Sequence, residues 1–324
     1  MKKGNKGAIL ALAAAAPAVA SYAAAVNVFK FGFNRYEGNT YWEKGEVKNI
    51  HAVRMNKAIR WIRSQNMEKV VIRSLDRLRL VGRIFECENP RGVIILMHGY
   101  HSSAIHDFSC AVQYYHNLGF TLIMPDQRAH GESDGKYVTF GIKEKDDCRL
   151  WAEYAARRFK GLPILLDGIS MGASTVMLAS GGKLPAAVCG IIADCGYSSA
   201  EAICAHVLKN RMGIPPALVM PLAKQVAKHR AGVDFADGDV TRALVRNTRP
   251  LLMVHGEADT FVPVKMTDEN AKVAKNCDLT VIKVANADHG MSFIMDEERV
   301  KRVLEWFFDK CINNYKNVQN STDA

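Results

Sequence analysis

A short apolar run from Leu162 to Leu166 passes through Asp167 into Gly168-Ile169-Ser170-Met171-Gly172, and small apolar residues from Ala173 to Ala179 follow. The run has the length and composition of a buried strand, and the stretch after the pentad has those of a buried helix. A serine on so sharp a strand-to-helix turn takes up a strained backbone, and side chains two positions to either side would clash. Glycine at both places removes them. This is the pattern of a nucleophile elbow, which projects a serine hydroxyl from a sheet. A Gly-x-Ser-x-Gly pentad alone is common, and it is the flanking strand and helix that constrain the fold.

Around this unit the chain alternates β-rich runs with helical stretches. Lys69 to Arg73 and Leu78 to Glu86 flank Asp76-Arg77 and read as an antiparallel pair. Gly92 to Met97, Thr121 to Pro125, Val188 to Ala193, Pro250 to His255 and Thr280 to Val284 read as further strands. Ala104 to Leu118, Lys143 to Phe159, Lys265 to Lys275 and Glu297 to Asn313 read as helices. The alternation predicts an α/β fold, with a mainly parallel sheet covered by helices on both faces. Tyr197 to Thr248 breaks the pattern, with helical stretches, Pro215-Pro216, Pro221 and no strand. It reads as a small helical cap over the mouth of the site, the alternative being two long connecting helices. The expected organisation is an N-terminal segment 1–30, a linker 31–67 with a basic amphipathic helix, a body 68–313 with the cap 197–248 inserted, and a polar, disordered tail 314–324.

Lys2, Lys3 and Lys6 precede an alanine-rich apolar run from Gly7 to about Phe29. A basic start before such a run marks a membrane anchor or a signal peptide. The apolar character continues past the small-x-small site Ala18-Val19-Ala20 through Tyr22 to Val26. This favours a single-pass anchor and a membrane-associated protein over cleavage near Ala20 and secretion, or a helix packed on a cytoplasmic domain. Lys2, Lys3 and Lys6 argue for a cytoplasmic N-terminus, whereas Lys30 and Arg35 pull the other way. Val47 to Gln65 reads as a helix with Ile50, Met55, Ala58, Ile59, Trp61 and Ile62 on one face and Lys57, Arg60 and Arg63 opposite. Such a helix either lies on an anionic membrane surface or packs on the body.

The 43 Lys and Arg exceed the 33 Asp and Glu, for a formal charge of +10. These residues are spread along the chain without an aromatic-interleaved basic motif, so a membrane surface ranks above nucleic acid as a partner. The 8 cysteines include no Cys-x-x-Cys pair and read as buried thiols of a reducing compartment. No zinc-like spacing is present, and no metal is predicted.

Serine is a weak nucleophile without a base, and the base needs a carboxylate to orient it. On a sheet of this kind the expected order is Ser, acid, His. His289, in Ala287-Asp288-His289-Gly290, follows the last strand, and Asp259, in His255-Gly256-Glu257-Ala258-Asp259, follows the strand before it. Rival acids are Glu257, Asp288 and above all Asp194, which ends the strand after the elbow unit. An acyl-transfer intermediate also needs two N–H donors for its oxyanion. Candidates are the amides of Met171, at the start of the elbow helix, and of Tyr100, in the loop after Met97. His98 and His101 read as structural or pocket-lining. Tyr100, Met171, Met212, Phe261 and Met291 are candidates for an apolar acyl pocket.

Together His98-Gly99-Tyr100, Asp126 to Ser133, Gly168 to Gly172, His255 to Asp259 and Asp288-His289 resemble the α/β-hydrolase superfamily, and within it the serine aminopeptidase-like bacterial hydrolases, many of which carry an N-terminal membrane segment. The resemblance covers about Val70 to Phe308. It implies the α/β-hydrolase fold, a triad of Ser170, Asp259 and His289, and an architectural role for the Asp126 to Ser133 turn. The family spans esterases, thioesterases, lipases and peptidases, so the resemblance does not choose the substrate; the reading adopted is a small-molecule acyl substrate, a carboxylic ester before a thioester or amide, with no cofactor. Acyl transfer to an alcohol or amine and a membrane-tethered binding protein without turnover are the rival readings.

Overall fold

The apolar runs assemble into one eight-stranded sheet. The structure, a computed structural model, describes residues 21–35 and 51–322. Its strands are β1 (Glu68–Arg73), β2 (Arg79–Phe85), β3 (Gly92–Met97), β4 (Phe120–Pro125), β5 (Ile164–Ile169), β6 (Val188–Asp194), β7 (Leu251–Gly256) and β8 (Leu279–Val284). They lie in the order β1-β2-β4-β3-β5-β6-β7-β8. β2 runs antiparallel to β1 and β4, and every other pairing is parallel. β4 and β5 flank β3, so the loops leaving β3 and β5 diverge at a switch point, where crevices form at the carboxyl ends of parallel strands.

The helices are α1 (residues 21–33), α2 (Ala52–Ser64), α3 (Ala104–Asp107), α4 (Ser109–Asn117), α5 (Glu144–Arg158), α6 (Met171–Ser180), α7 (Ala200–Arg211), α8 (Pro216–Ala231), α9 (Val240–Leu244), α10 (Lys265–Val273), α11 (Ser292–Met295) and α12 (Glu297–Thr322). The period-two geometry of β3 shows why its sequence is a continuous apolar run. Val93, Ile95 and Met97 join a core with Trp151 of α5 and Met177 of α6. Ile94 and Leu96 join the opposite core with Tyr115 of α4 and Phe307 and Phe308 of α12. Both faces are dry, and each buried aliphatic side chain contributes about 1.5–3 kcal/mol of transfer free energy.

Several elements differ from the sequence reading. The helix expected over Ala104 to Leu118 divides at Phe108, because the Asp107 carboxylate turns back to accept the Gly99 N–H at 2.6 Å and the Ser102 hydroxyl at 2.5 Å. Within the cap span 197–248, α7 and α8 lie over the site, whereas α9 packs on α6 and α10 of the body. α12 continues through 314–322, where polar composition suggested disorder. No glycine or proline follows Asn313 to stop the helix, and Tyr315 packs against the core.

Residues 1–20, which hold most of the expected anchor, and 36–50 lie outside the described residues. No helix among the described residues is long and apolar enough to cross a membrane. The described part of the apolar run, α1, buries Ala25, Phe29 and Phe33 against protein. α2 also packs on the body, with Met55 and Ile62 buried, Trp61 edge-on to Phe85 at 6.0 Å, and Arg54 paired with Glu297 at 2.6 Å.

Candidate active site

β5 delivers Ser170 into the strained turn that the glycines anticipate. Its φ is +58° and its ψ −117°, a region that costs a residue with a Cβ about 1–3 kcal/mol. A Cβ on Gly168 would overlap the Gly172 backbone, and one on Gly172 would overlap the carbonyl oxygens of Met97 and His98. The turn is pinned from the neighbouring strand, where the Asp194 carbonyl accepts the Ser170 N–H at 2.8 Å.

Residues far apart in sequence then meet. His289 Nε2 lies 2.9 Å from Ser170 Oγ, and His289 Nδ1 lies 2.7 Å from Asp259 Oδ2. The Asp259 side chain is wholly buried and His289 is one-quarter exposed. Burial pushes the Asp259 carboxyl up, but hydrogen bonds from His255 and His289 and the backbone N–H of Val262 outweigh it and hold the group well below the carboxylate range. Asp259 Oδ1 accepts the N–H groups of Phe261 and Val262, both at 2.8 Å.

The rival acids face elsewhere. The Asp194 carboxylate accepts the Ser292 hydroxyl at 3.1 Å, and burial raises it to about 6. Asp288 accepts the His289 backbone N–H at 2.8 Å, and Glu257 is exposed.

Of the two amides expected to serve an oxyanion, that of Met171 follows the serine directly. Met171 opens α6, so its N–H has no intrahelical partner. The β3 loop carrying Tyr100 passes so close that a Cβ on Gly99 would sit 3.3 Å from that of Ser170. Behind the loop the other histidines are structural. His98 Nδ1 donates to the Gly99 carbonyl at 2.8 Å and its Nε2 accepts the Gln127 N–H at 3.0 Å. His130 Nδ1 donates to the Arg128 carbonyl at 2.9 Å and its Nε2 accepts the His101 N–H at 3.0 Å. Arg128 grips Asp147 through two bonds, at 2.6 and 2.7 Å, which locks the Asp126 to Ser133 turn in place.

His255, four residues before Asp259, supports that carboxylate. It is fully buried on β7, accepts the Thr267 hydroxyl at Nδ1 (2.6 Å), and directs Nε2–H at the Val262 carbonyl (2.9 Å) and Asp259 Oδ2 (3.2 Å). Its place four residues before Asp259, at the end of the same strand, was the available signal. Cys195 Sγ lies within 4.8 Å of donor atoms on Asp259 and His289. Burial and the Asp194 and Asp259 charges push this thiol well above its usual range, which favours its protonated form.

A cavity of about 330 Å³ opens over Ser170. Of the residues expected to line an apolar pocket, Tyr100, Met171, Met212 and Phe261 do so and Met291 does not. Tyr197, Cys204 and the end of α1, absent from that expectation, line it too.

Comparison with known proteins agrees with this architecture. A family profile described as serine aminopeptidase, S33, matches residues 88–209. The uncharacterised protein YqkD of Bacillus subtilis is 26% identical over 235 residues, which cover 71% of this chain and 73% of that one. A monoacylglycerol lipase of Mycolicibacterium smegmatis is 28% identical, over 54% of this chain and 73% of its own. Among solved structures, the Pyrococcus furiosus esterase Pf2001 superposes with a TM-score of 0.61 at 24% identity, over 77% of this chain and 92% of that one. Est1E of Butyrivibrio proteoclasticus, solved with ferulic acid, superposes with a TM-score of 0.57 at 20% identity, over 75% of this chain and 99% of that one. These superpositions establish the fold, and the family profile and the lipase relative bear on the chemistry. The chain is an α/β-hydrolase enzyme.

Proposed function

We propose that the protein is a serine hydrolase that cleaves a carboxylic ester through an acyl-enzyme, with Ser170 as nucleophile, His289 as general base and acid, and Asp259 as the orienting carboxylate. The observation that carries this reading is the unbroken run of hydrogen-bond distances, 2.9 Å from Ser170 to His289 and 2.7 Å from His289 to Asp259. An ionised Asp259 requires the proton on His289 Nδ1, which leaves Nε2 free to accept the serine hydroxyl.

Ser170 Oγ attacks the ester carbonyl as its proton passes to His289 Nε2, and the imidazolium is stabilised by Asp259. The carbonyl oxygen becomes an oxyanion held by the N–H groups of Met171 and Tyr100. Collapse breaks the C–O bond, and the departing alkoxide takes the proton from His289. Water then repeats the sequence, giving its proton to His289, releasing the acid and restoring Ser170. The preference for an ester is supported by the lipase relative and by the apolar character of the cavity over Ser170. Hydrolysis of p-nitrophenyl esters by the full chain, lost in Ser170→Ala, tests the reading.

A further inference from the structure

One wall of the cavity over Ser170 comes from neither the sheet loops nor the cap. Phe29, Phe31, Gly32 and Phe33, at the end of α1, line it together with Tyr100 and residues of the cap helices α7 and α8. This end of α1 is fastened to the body. The Phe33 carbonyl accepts the Val138 N–H at 2.7 Å, and the Arg35 N–H donates to the Lys136 carbonyl at 2.8 Å. The Arg35 guanidinium donates to the carbonyls of Ser133, at 2.6 Å, and Gly131. The Tyr100 hydroxyl, from the loop beside Ser170, donates to the Gly32 carbonyl at 3.0 Å.

Aromatic contacts complete the attachment. Phe33 stacks on Phe29 at 4.7 Å, meets Phe140 edge-on at 5.0 Å and reaches Phe235, beyond α8, at 5.9 Å. Phe29 and Phe33 are 1% and 5% exposed. A helix that joins the loop after β3, the Asp126 to Ser133 turn and the cap in this way is a fixed part of the cavity.

We propose that the end of α1 is a selectivity element, with Phe29, Gly32 and Phe33 forming the wall that accommodates the acyl chain, and that the preferred substrates are esters of unbranched, medium-length fatty acids. The proposal rests on the hydrolase reading of Ser170. The cavity, of about 330 Å³, lies at the small end of the roughly 300–1,000 Å³ that ligand sites span, which suits an acyl chain of about eight to twelve carbons rather than a longer one. A charged or strongly polar acyl group would lose hydration against the phenylalanine rings of this wall. A short chain would leave the wall uncovered, whereas each added methylene that becomes buried raises kcat/KM by up to about four-fold.

The test is kcat/KM of the full chain on p-nitrophenyl esters from acetate to palmitate, with Ser170 titrated by a fluorophosphonate in each preparation. The expected profile rises from acetate by at least about a hundred-fold, peaks between the octanoate and dodecanoate, and falls beyond. Phe33→Ala and Phe29→Ala each lower the decanoate-to-acetate ratio by about ten-fold or move the peak to longer chains. Phe33→Leu, which keeps an apolar contact, does the same to a smaller degree. The ratio is taken within one preparation, so loss of active protein cancels. A flat profile in the wild type, or a profile unchanged in all three variants, overturns the proposal and leaves the hydrolase reading standing. Absence of both ester turnover and Ser170 labelling overturns the hydrolase reading and the proposal with it.

Discussion

His255 Nε2 lies 3.2 Å from Asp259 Oδ2, the same oxygen that meets His289, so one carboxylate is held between two histidines. With two amides on its other oxygen, Asp259 has no freedom to rotate. His255 is a positioning residue, since its ring reaches Asp259 but not Ser170 or His289 in any bond described.

Replacing His255 by Phe removes a hydrogen bond to a charged, buried acceptor, an interaction worth about 1.5–3 kcal/mol. The expected result is a fall in kcat of about ten- to a hundred-fold with KM changed less than about two-fold, since the contact fixes His289 rather than substrate. Steady-state kinetics check this. A change in KM alone would assign His255 to the pocket instead.

The two strand-end acids make opposite predictions. Asp259→Asn leaves His289 without an anionic partner and favours the wrong tautomer, so kcat falls by about 10⁴-fold. Asp194→Asn keeps its backbone carbonyl on the Ser170 N–H and loses less than about ten-fold. Comparing turnover of the two variants distinguishes the acids, and the reverse order of effects would transfer the role to Asp194.

Asp167, three residues before Ser170, is fully buried with its carboxylate accepting the Tyr115 hydroxyl at 2.8 Å, and burial raises it to about 7. The native state therefore holds this proton more tightly than the unfolded chain, where the group titrates near 3.9. The contribution to stability is full below that unfolded value and is lost as pH rises through about 7. Asp194, raised to about 6, acts in the same sense, whereas the depressed Asp259 stabilises above the unfolded value and loses that effect only in acid. Asp167→Asn stays neutral and can still accept from Tyr115. Its stability advantage over the wild type should grow between pH 5 and pH 8 to about 2–4 kcal/mol. Denaturant unfolding across that range checks the sign, and parallel curves for the two proteins would contradict it.

The body of the fold was readable in the chain because strands covered on both faces are written as unbroken apolar runs, as in Val93 to Met97. Ser170, His289 and the strand-end acids were readable because their spacing follows the order of strands in the sheet. Asp259 was preferred to Asp194 from the sequence, but both end parallel strands, and it is three-dimensional geometry that turns one carboxylate to Ser292 and the other to His289. The position of α1 was hidden for a different reason. Alanine and phenylalanine from 21 to 33 carry the same apolar signal whether they meet lipid or an aromatic groove, and the partners Phe140 and Phe235 lie more than about a hundred residues away. His255 lay in plain view beside Asp259, but a buried histidine that serves a carboxylate has no spacing of its own to announce it.

The central claim is that Ser170 is an activated nucleophile. It is tested most directly by reacting the folded full-length chain with a fluorophosphonate and locating the adduct by peptide mass spectrometry. The account predicts stoichiometric modification of Ser170, slowed by about a thousand-fold or more in His289→Ala and absent in Ser170→Ala. Folded protein that takes up no probe, or takes it up equally fast without His289, would contradict it.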